Sequence, residues 1–132
     1  MNWLLAWTLN HYYDAYPYLP ERQQHLLWEF LQETRFDGIK RDVWRILSLV
    51  SLSESIAGEV FEKCVQIIPS AQFPVAVRAH AMQVGLNIVC SYPELAQEYN
   101  LLLEDLTDYE FASIRSRARR FLKRTKKLKA PH

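Results

Sequence analysis

Apolar residues recur at helical spacing along almost the whole chain, and no segment alternates apolar and polar positions for long. The pattern predicts helices and no strands. The first helix spans about Asn2 to Tyr13 and stops before Pro17. Leu5, Leu9, Tyr12, Tyr13 and Tyr16 form its stripe, while Trp3 and Trp7 fall on the opposite side beside Asn10 and Asp14. The second opens near Pro20, since proline suits a first helical turn, and carries Leu26, Leu27, Phe30 and Leu31. Asp37 can cap the third, which holds Ile39, Val43, Ile46, Leu47 and Val50. Ser51 and Glu54 have capping-box spacing for the fourth, which ends at Pro69. Pro74 opens the fifth. Ser91 and Glu94 repeat the capping spacing around Pro93 to open the sixth, and the seventh starts near Ala112 and runs into a basic tail.

Three of these helices repeat one another. Ile39-Lys40-Arg41-Asp42-Val43 aligns with Val77-Arg78-Ala79-His80-Ala81 and with Ile114-Arg115-Ser116-Arg117-Ala118, at offsets of 38 and 37 residues. Each block has a β-branched residue, then a cation, then an apolar or small residue that continues the stripe. The match extends through Ile46, Val84 and Phe121 and through Leu47, Gly85 and Leu122. Residues i, i+4, i+7 and i+8 share one face of a helix, so each block is a single apolar stripe. A fixed period of this size marks a solenoid, in which no unit buries its apolar face alone. Ala81, Gly85 and Ala118 are small enough for neighbouring helices to approach closely. The first helix fits as an unpaired half repeat, with Leu5 matching Val43 and Leu9 matching Leu47.

The blocks Val77-Arg78 through Leu86 and Ile114-Arg115 through Leu122 resemble the second helix of HEAT repeats, with their Val-Arg, then Ala, then Leu pattern. Over roughly residues 20 to 125 the chain is similar to small bacterial HEAT-like proteins that end in a pattern like Ser116-Arg117-Ala118-Arg119-Arg120-Phe121-Leu122-Lys123. The first helix and Gly85 depart from that pattern. The resemblance implies an all-α fold: a short HEAT-like, armadillo-type α-solenoid of about seven helices. It also implies a protein-binding scaffold. The expected organisation is a single domain over residues 1–132, with an N-terminal helix at 1–16 and helix pairs at 20–51, 53–91 and 92–129.

Composition agrees with a folded domain. Of 132 residues, 49% are hydrophobic and 23% charged, and a chain of this size buries about two-thirds of its unfolded surface without a disulfide or metal staple. Cys64 and Cys90 have no ligand spacing and read as buried, reduced thiols of a cytoplasmic protein. The run Trp3-Leu4-Leu5-Ala6-Trp7 is too short for a secretory signal, and no apolar stretch approaches the ~20 residues of a membrane span. No membrane association is expected.

The net charge of +1 conceals an asymmetry. Arg115 to Lys129 holds nine Lys or Arg and no acid, whereas the remaining seven cations face 15 acids, a balance of −8. Two readings of the basic helix stand side by side. It is a solvated end cap, as solenoids require, or it contacts nucleic acid or an acidic partner through Arg117, Arg119, Lys123, Arg124, Lys126 and Lys127. Aromatic residues do not interleave with the cations, so nucleic-acid binding would be weak and non-specific.

No catalytic, nucleotide-binding or metal motif is present, and no cofactor is expected. His11, His25, His80 and His132 are scattered; His25 and Glu29 read as a surface pair. Glu104, Asp105, Asp108 and Glu110 read as a solvated acidic turn. Two surfaces suit a protein partner. Trp3 and Trp7 suit self-association or a partner contact, or are covered by a neighbouring segment. Arg45, Gln83 and Arg120 occupy equivalent repeat positions opposite the core stripe and form a polar ridge. The expected function is a non-catalytic protein-interaction module, with nucleic-acid binding as the alternative.

Overall fold

The computed structural model describes residues 18–109 and 111–128. The predicted first helix, with Trp3 and Trp7, lies outside the described residues, as does the chain from Lys129. Six α-helices follow: α1 (Glu21–Glu33), α2 (Asp37–Leu49), α3 (Glu54–Ile67), α4 (Val75–Ser91), α5 (Ala96–Asp105) and α6 (Ala112–Thr125), with a 3-10 turn at Pro93–Leu95. Among the described residues there is no strand.

The helices stack as pairs. In each of α1–α2, α3–α4 and α5–α6 the two members touch, and α2, α4 and α6 also pack side by side as an inner row. The repeat stripe is the seam of that row. Ile39, Val43, Ile46 and Leu47 are buried, as are Val77, Ala81, Val84 and Gly85, and Ile114, Ala118, Phe121 and Leu122. The outer helices close the stack through aromatic rings. Trp28 of α1 meets Trp44 of α2 edge-on at 5.8 Å, and Phe61 of α3 meets Tyr99 of α5 at 6.1 Å.

The second and third pairs are each tied by the cation of their repeat block. Arg78 Nε donates to the Ile68 carbonyl at 2.9 Å, and its guanidinium lies 4.9 Å over the Tyr109 ring. Arg115 Nη1 donates to the Tyr109 carbonyl at 3.0 Å. In these two pairs the side chain after the β-branched residue reaches back to the loop that joins its own helix pair, satisfying a carbonyl with no helical partner.

Gly85 departs from the repeat because of Tyr99. A Cβ there would stand 2.7 Å from Tyr99 Cε2. The ring cannot easily yield, since its hydroxyl donates to the Met82 carbonyl on the same helix as Gly85.

Helix starts differ from the sequence reading where another side chain satisfies the backbone. Ser53, not Ser51, precedes α3, and it makes no side-chain cap. Buried Gln24 of α1 holds this connection instead: its amide nitrogen donates to the carbonyls of Leu19 at 2.8 Å and Ser51 at 3.1 Å, and its oxygen accepts from Ser53 N at 2.9 Å. Asp37 is the first residue of α2 rather than its cap, and Ser91 is the last residue of α4. Cys64 is fully buried, which pushes its thiol pKa well up, whereas Cys90 is only half-buried.

Candidate interaction face on the inner helices

The inner helices turn one stripe away from the seam, and the repeat brings that stripe into rows. Asp42, His80 and Arg117 make the first row, Arg45, Gln83 and Arg120 the second, and Leu49, Asn87 and Arg124 the third. The sequence-predicted ridge is the second row. Gln83 and Arg45 are half-buried and Arg120 is exposed.

Hydrogen bonds hold the middle of this face. Gln83 Nε2 donates to Asn87 Oδ1, and Asn87 Nδ2 donates to the Ser48 carbonyl of α2, both at 2.9 Å. Between the C-terminal ends of α2 and α4, a groove of about 250 Å³ is lined by Leu49, Leu52 and Tyr92 and by the polar Ser51, Asn87 and Ser91, over the buried Leu47, Val84 and Ile88.

Asp42 puts one carboxylate in the first row, 3.8 Å from Arg41, and the end of the face formed by α4 and α6 is positive. Burial, and then the positive charges of Arg117, Arg45 and Arg41, lower the His80 pKa from 6.5 to about 4, so the imidazole is neutral at pH 7. Burial and neighbouring Arg120 lower the Arg117 pKa. Arg117 Nε is buried and meets no hydrogen-bond acceptor. The Arg117 and Arg120 guanidiniums lie 5.8 and 5.4 Å from the Phe121 ring centre.

The other flank of α6 is different. Arg119 pairs with Asp108 at 3.6 Å and Lys126 with Glu104 at 3.8 Å. Lys123 shares this flank by helical spacing, while Arg124 continues the stripe of Arg117 and Arg120. Lys123, Arg124 and Lys127 are exposed. The cations of the basic helix are thus split between two faces rather than gathered on one. The acidic turn supplies the counter-charges for the outer face only.

Of the other candidates, His25 takes a structural contact. His25 Nε2 hydrogen-bonds Ser55 Oγ of α3 at 2.9 Å, so it joins two outer helices rather than simply facing Glu29. Among the described residues no cluster has the makings of a metal site, and no helix is long and apolar enough to cross a membrane. The sequence reading missed His80, Asn87 and Gln24. Of these, His80 carried a signal, because it shares the repeat register of Asp42 and Arg117.

The sequence profile described as a HEAT repeat domain matches residues 1–125. No curated protein and no solved structure matches the chain significantly. The profile match covers nearly the whole chain, and the described residues form the paired, stacked helices that such repeats build. The chain belongs to the HEAT repeat domain family.

Proposed function

We propose that this chain is a non-catalytic protein-interaction module that presents the inner face of α2, α4 and α6 to a partner. HEAT repeats commonly serve as protein-binding scaffolds, and stacked repeats create extended faces suited to that use. The observation that carries the reading is the register of Arg45, Gln83 and Arg120, one polar side chain per repeat on adjacent helices. The amide network through Gln83, Asn87 and Ser48 pre-organises the centre of that face.

Site-specific photo-crosslinking tests this reading. A benzophenone amino acid at Gln83 should label a discrete protein in the source cell. The same group at exposed Gln66, on outer helix α3, should not. Equal labelling from both positions, or none from Gln83, would sink the proposal.

A further inference from the structure

We infer that the inner face holds a carboxylate seat between His80, Arg117 and Arg120, and that its occupant is an acidic segment of a partner protein that also places an apolar residue in the groove beside Asn87. This inference rests on the interaction-module reading and names the chemistry of the partner.

The orphaned Arg117 Nε is the first support. It lies buried without an acceptor while the side chain as a whole is only half-buried, so the guanidinium is held in place with no anion yet within reach and an arriving carboxylate can meet its exposed part. Arg120 stands beside it on the same stripe, and neither residue has a carboxylate within ion-pair distance among the described residues. Asp108 and Glu104 are engaged on the far flank by Arg119 and Lys126. Neutral His80 adds one ring N–H donor without adding a charge that would repel the arginines. Planar guanidiniums pair with carboxylates bidentately, so two of them with an imidazole make a directional site.

The groove fixes the second half of the ligand. His80 and Asn87 lie seven residues apart on α4, about 10 Å along a helix. Reaching Arg117 on the adjacent helix adds about 8–10 Å sideways. An extended peptide advances about 3.3 Å per residue, so the apolar anchor falls about three to five residues from the acidic one. Leu47, Val84 and Ile88 are themselves buried, so the half-buried Leu49, Leu52 and Tyr92 are the apolar walls that an aliphatic side chain would meet, beside the polar Ser51, Asn87 and Ser91. Gln83 lies between the two subsites and keeps its carbonyl oxygen for the peptide backbone. A protein segment suits this face better than a polyanion such as nucleic acid. The chain outside residues 115–129 is acidic by eight charges, and the cations of α6 divide between two faces.

A random peptide library displayed on phage and selected against the whole chain is the test. The selection should enrich an Asp or Glu with a Leu, Ile or Val three to five residues away. Binding of the selected peptide, followed by fluorescence anisotropy, should fall about tenfold or more in Arg117→Gln/Arg120→Gln. It should be unchanged in Arg119→Gln/Lys126→Gln. Arg120→Gln alone, at an exposed position, should still cost severalfold with an unchanged circular dichroism spectrum. Leu49→Ser should weaken the selected peptide but not a version with its apolar anchor replaced by Ser. A consensus without acids, or equal loss in the two double variants, would overturn the inference. So would random duplex DNA binding more tightly than the peptide at physiological salt. Peptides of another composition that depend on Gln83 would refute the carboxylate seat and leave the interaction module standing. No selectable peptide at all would count against both.

Discussion

Along one flank of α6, Arg119 and Lys126 reach Asp108 and Glu104; along the other, Arg117 and Arg120 reach no carboxylate among the described residues. Both flanks sit on one helix and above one seam, and their side chains are of the same kind. What differs is the neighbour. The outer flank faces α5 and the acidic turn that follows it, while the inner flank faces α4, whose side chains there are an imidazole and two amides. Exposed pairs such as those on the outer flank contribute little stability. On the inner flank the buried Arg117 Nε lacks an acceptor, which works against stability, and the half-buried Arg117 and exposed Arg120 keep their charges unmatched. Positive charge in this chain is therefore informative only after the repeat has been folded around it.

The largest effects concern the seam that both flanks share. Val77→Asp or Phe121→Asp places an unpaired carboxylate in the core, at a cost of about 4 kcal/mol or more, comparable with the whole stability of a small domain. Either variant should lose its helical circular dichroism signal or its cooperative melt. A well-folded Val77→Asp protein would remove the shared seam from the account.

A smaller effect separates two arginines at the same repeat position. Arg78→Ala removes a buried side chain, leaves the Ile68 carbonyl without its donor and uncovers Tyr109, so it should cost about 2–3 kcal/mol in urea unfolding. Arg115 is only half-buried, and Arg115→Ala should cost about 1 kcal/mol. Equal costs would mean that the repeat position, rather than its burial, decides the energy.

The pH dependence comes from the inner flank. The unfolded chain protonates His80 near the ordinary value of about 6.5, whereas the folded chain keeps it neutral down to about pH 4. The unfolded state thus binds more protons in this window, so stability contributed by neutral His80 is present above pH 6.5 and lost as the pH falls toward 4. His80→Gln should flatten the decline in unfolding free energy between pH 7 and pH 5. An unchanged slope in that variant would show that His80 does not titrate as the geometry requires.

The smallest effect belongs to the outer flank. Arg119→Gln/Lys126→Gln should change stability by less than about 1 kcal/mol at physiological salt, because both pairs are exposed. A larger loss in thermal unfolding would make the acidic turn a structural clamp. Removal of the whole basic tail is a poor test of that flank. Thr125 is buried and hydrogen-bonds Asn100, and Leu128 packs against the core, so truncation from Arg124 would cut into the fold.

The seam was legible in the sequence because burial imposes a period. Ile39, Val77 and Ile114 are buried at matching positions, and so are Ile46, Val84 and Phe121. The ridge of Arg45, Gln83 and Arg120 followed from the same register. Groups whose role depends on a single distant partner were not legible. Gln24 looks like one polar residue among several, and only its placement against Leu19, Ser51 and Ser53 makes it a clamp. Gly85 reads as a flaw in the repeat until Tyr99, fourteen residues on, occupies the missing Cβ position. The division of the basic helix into matched and unmatched flanks depends on where α5 and its turn lie, which no local pattern encodes.

The most direct test of the unmatched inner flank is the pKa of the His80 imidazole, measured by NMR in the free chain and in the two double variants. The account predicts a value near 4 in the parent chain. It predicts an upward shift in Arg117→Gln/Arg120→Gln that stops short of 6.5, because burial remains, and no shift in Arg119→Gln/Lys126→Gln. An ordinary value in the parent chain, or equal shifts in both variants, would contradict it.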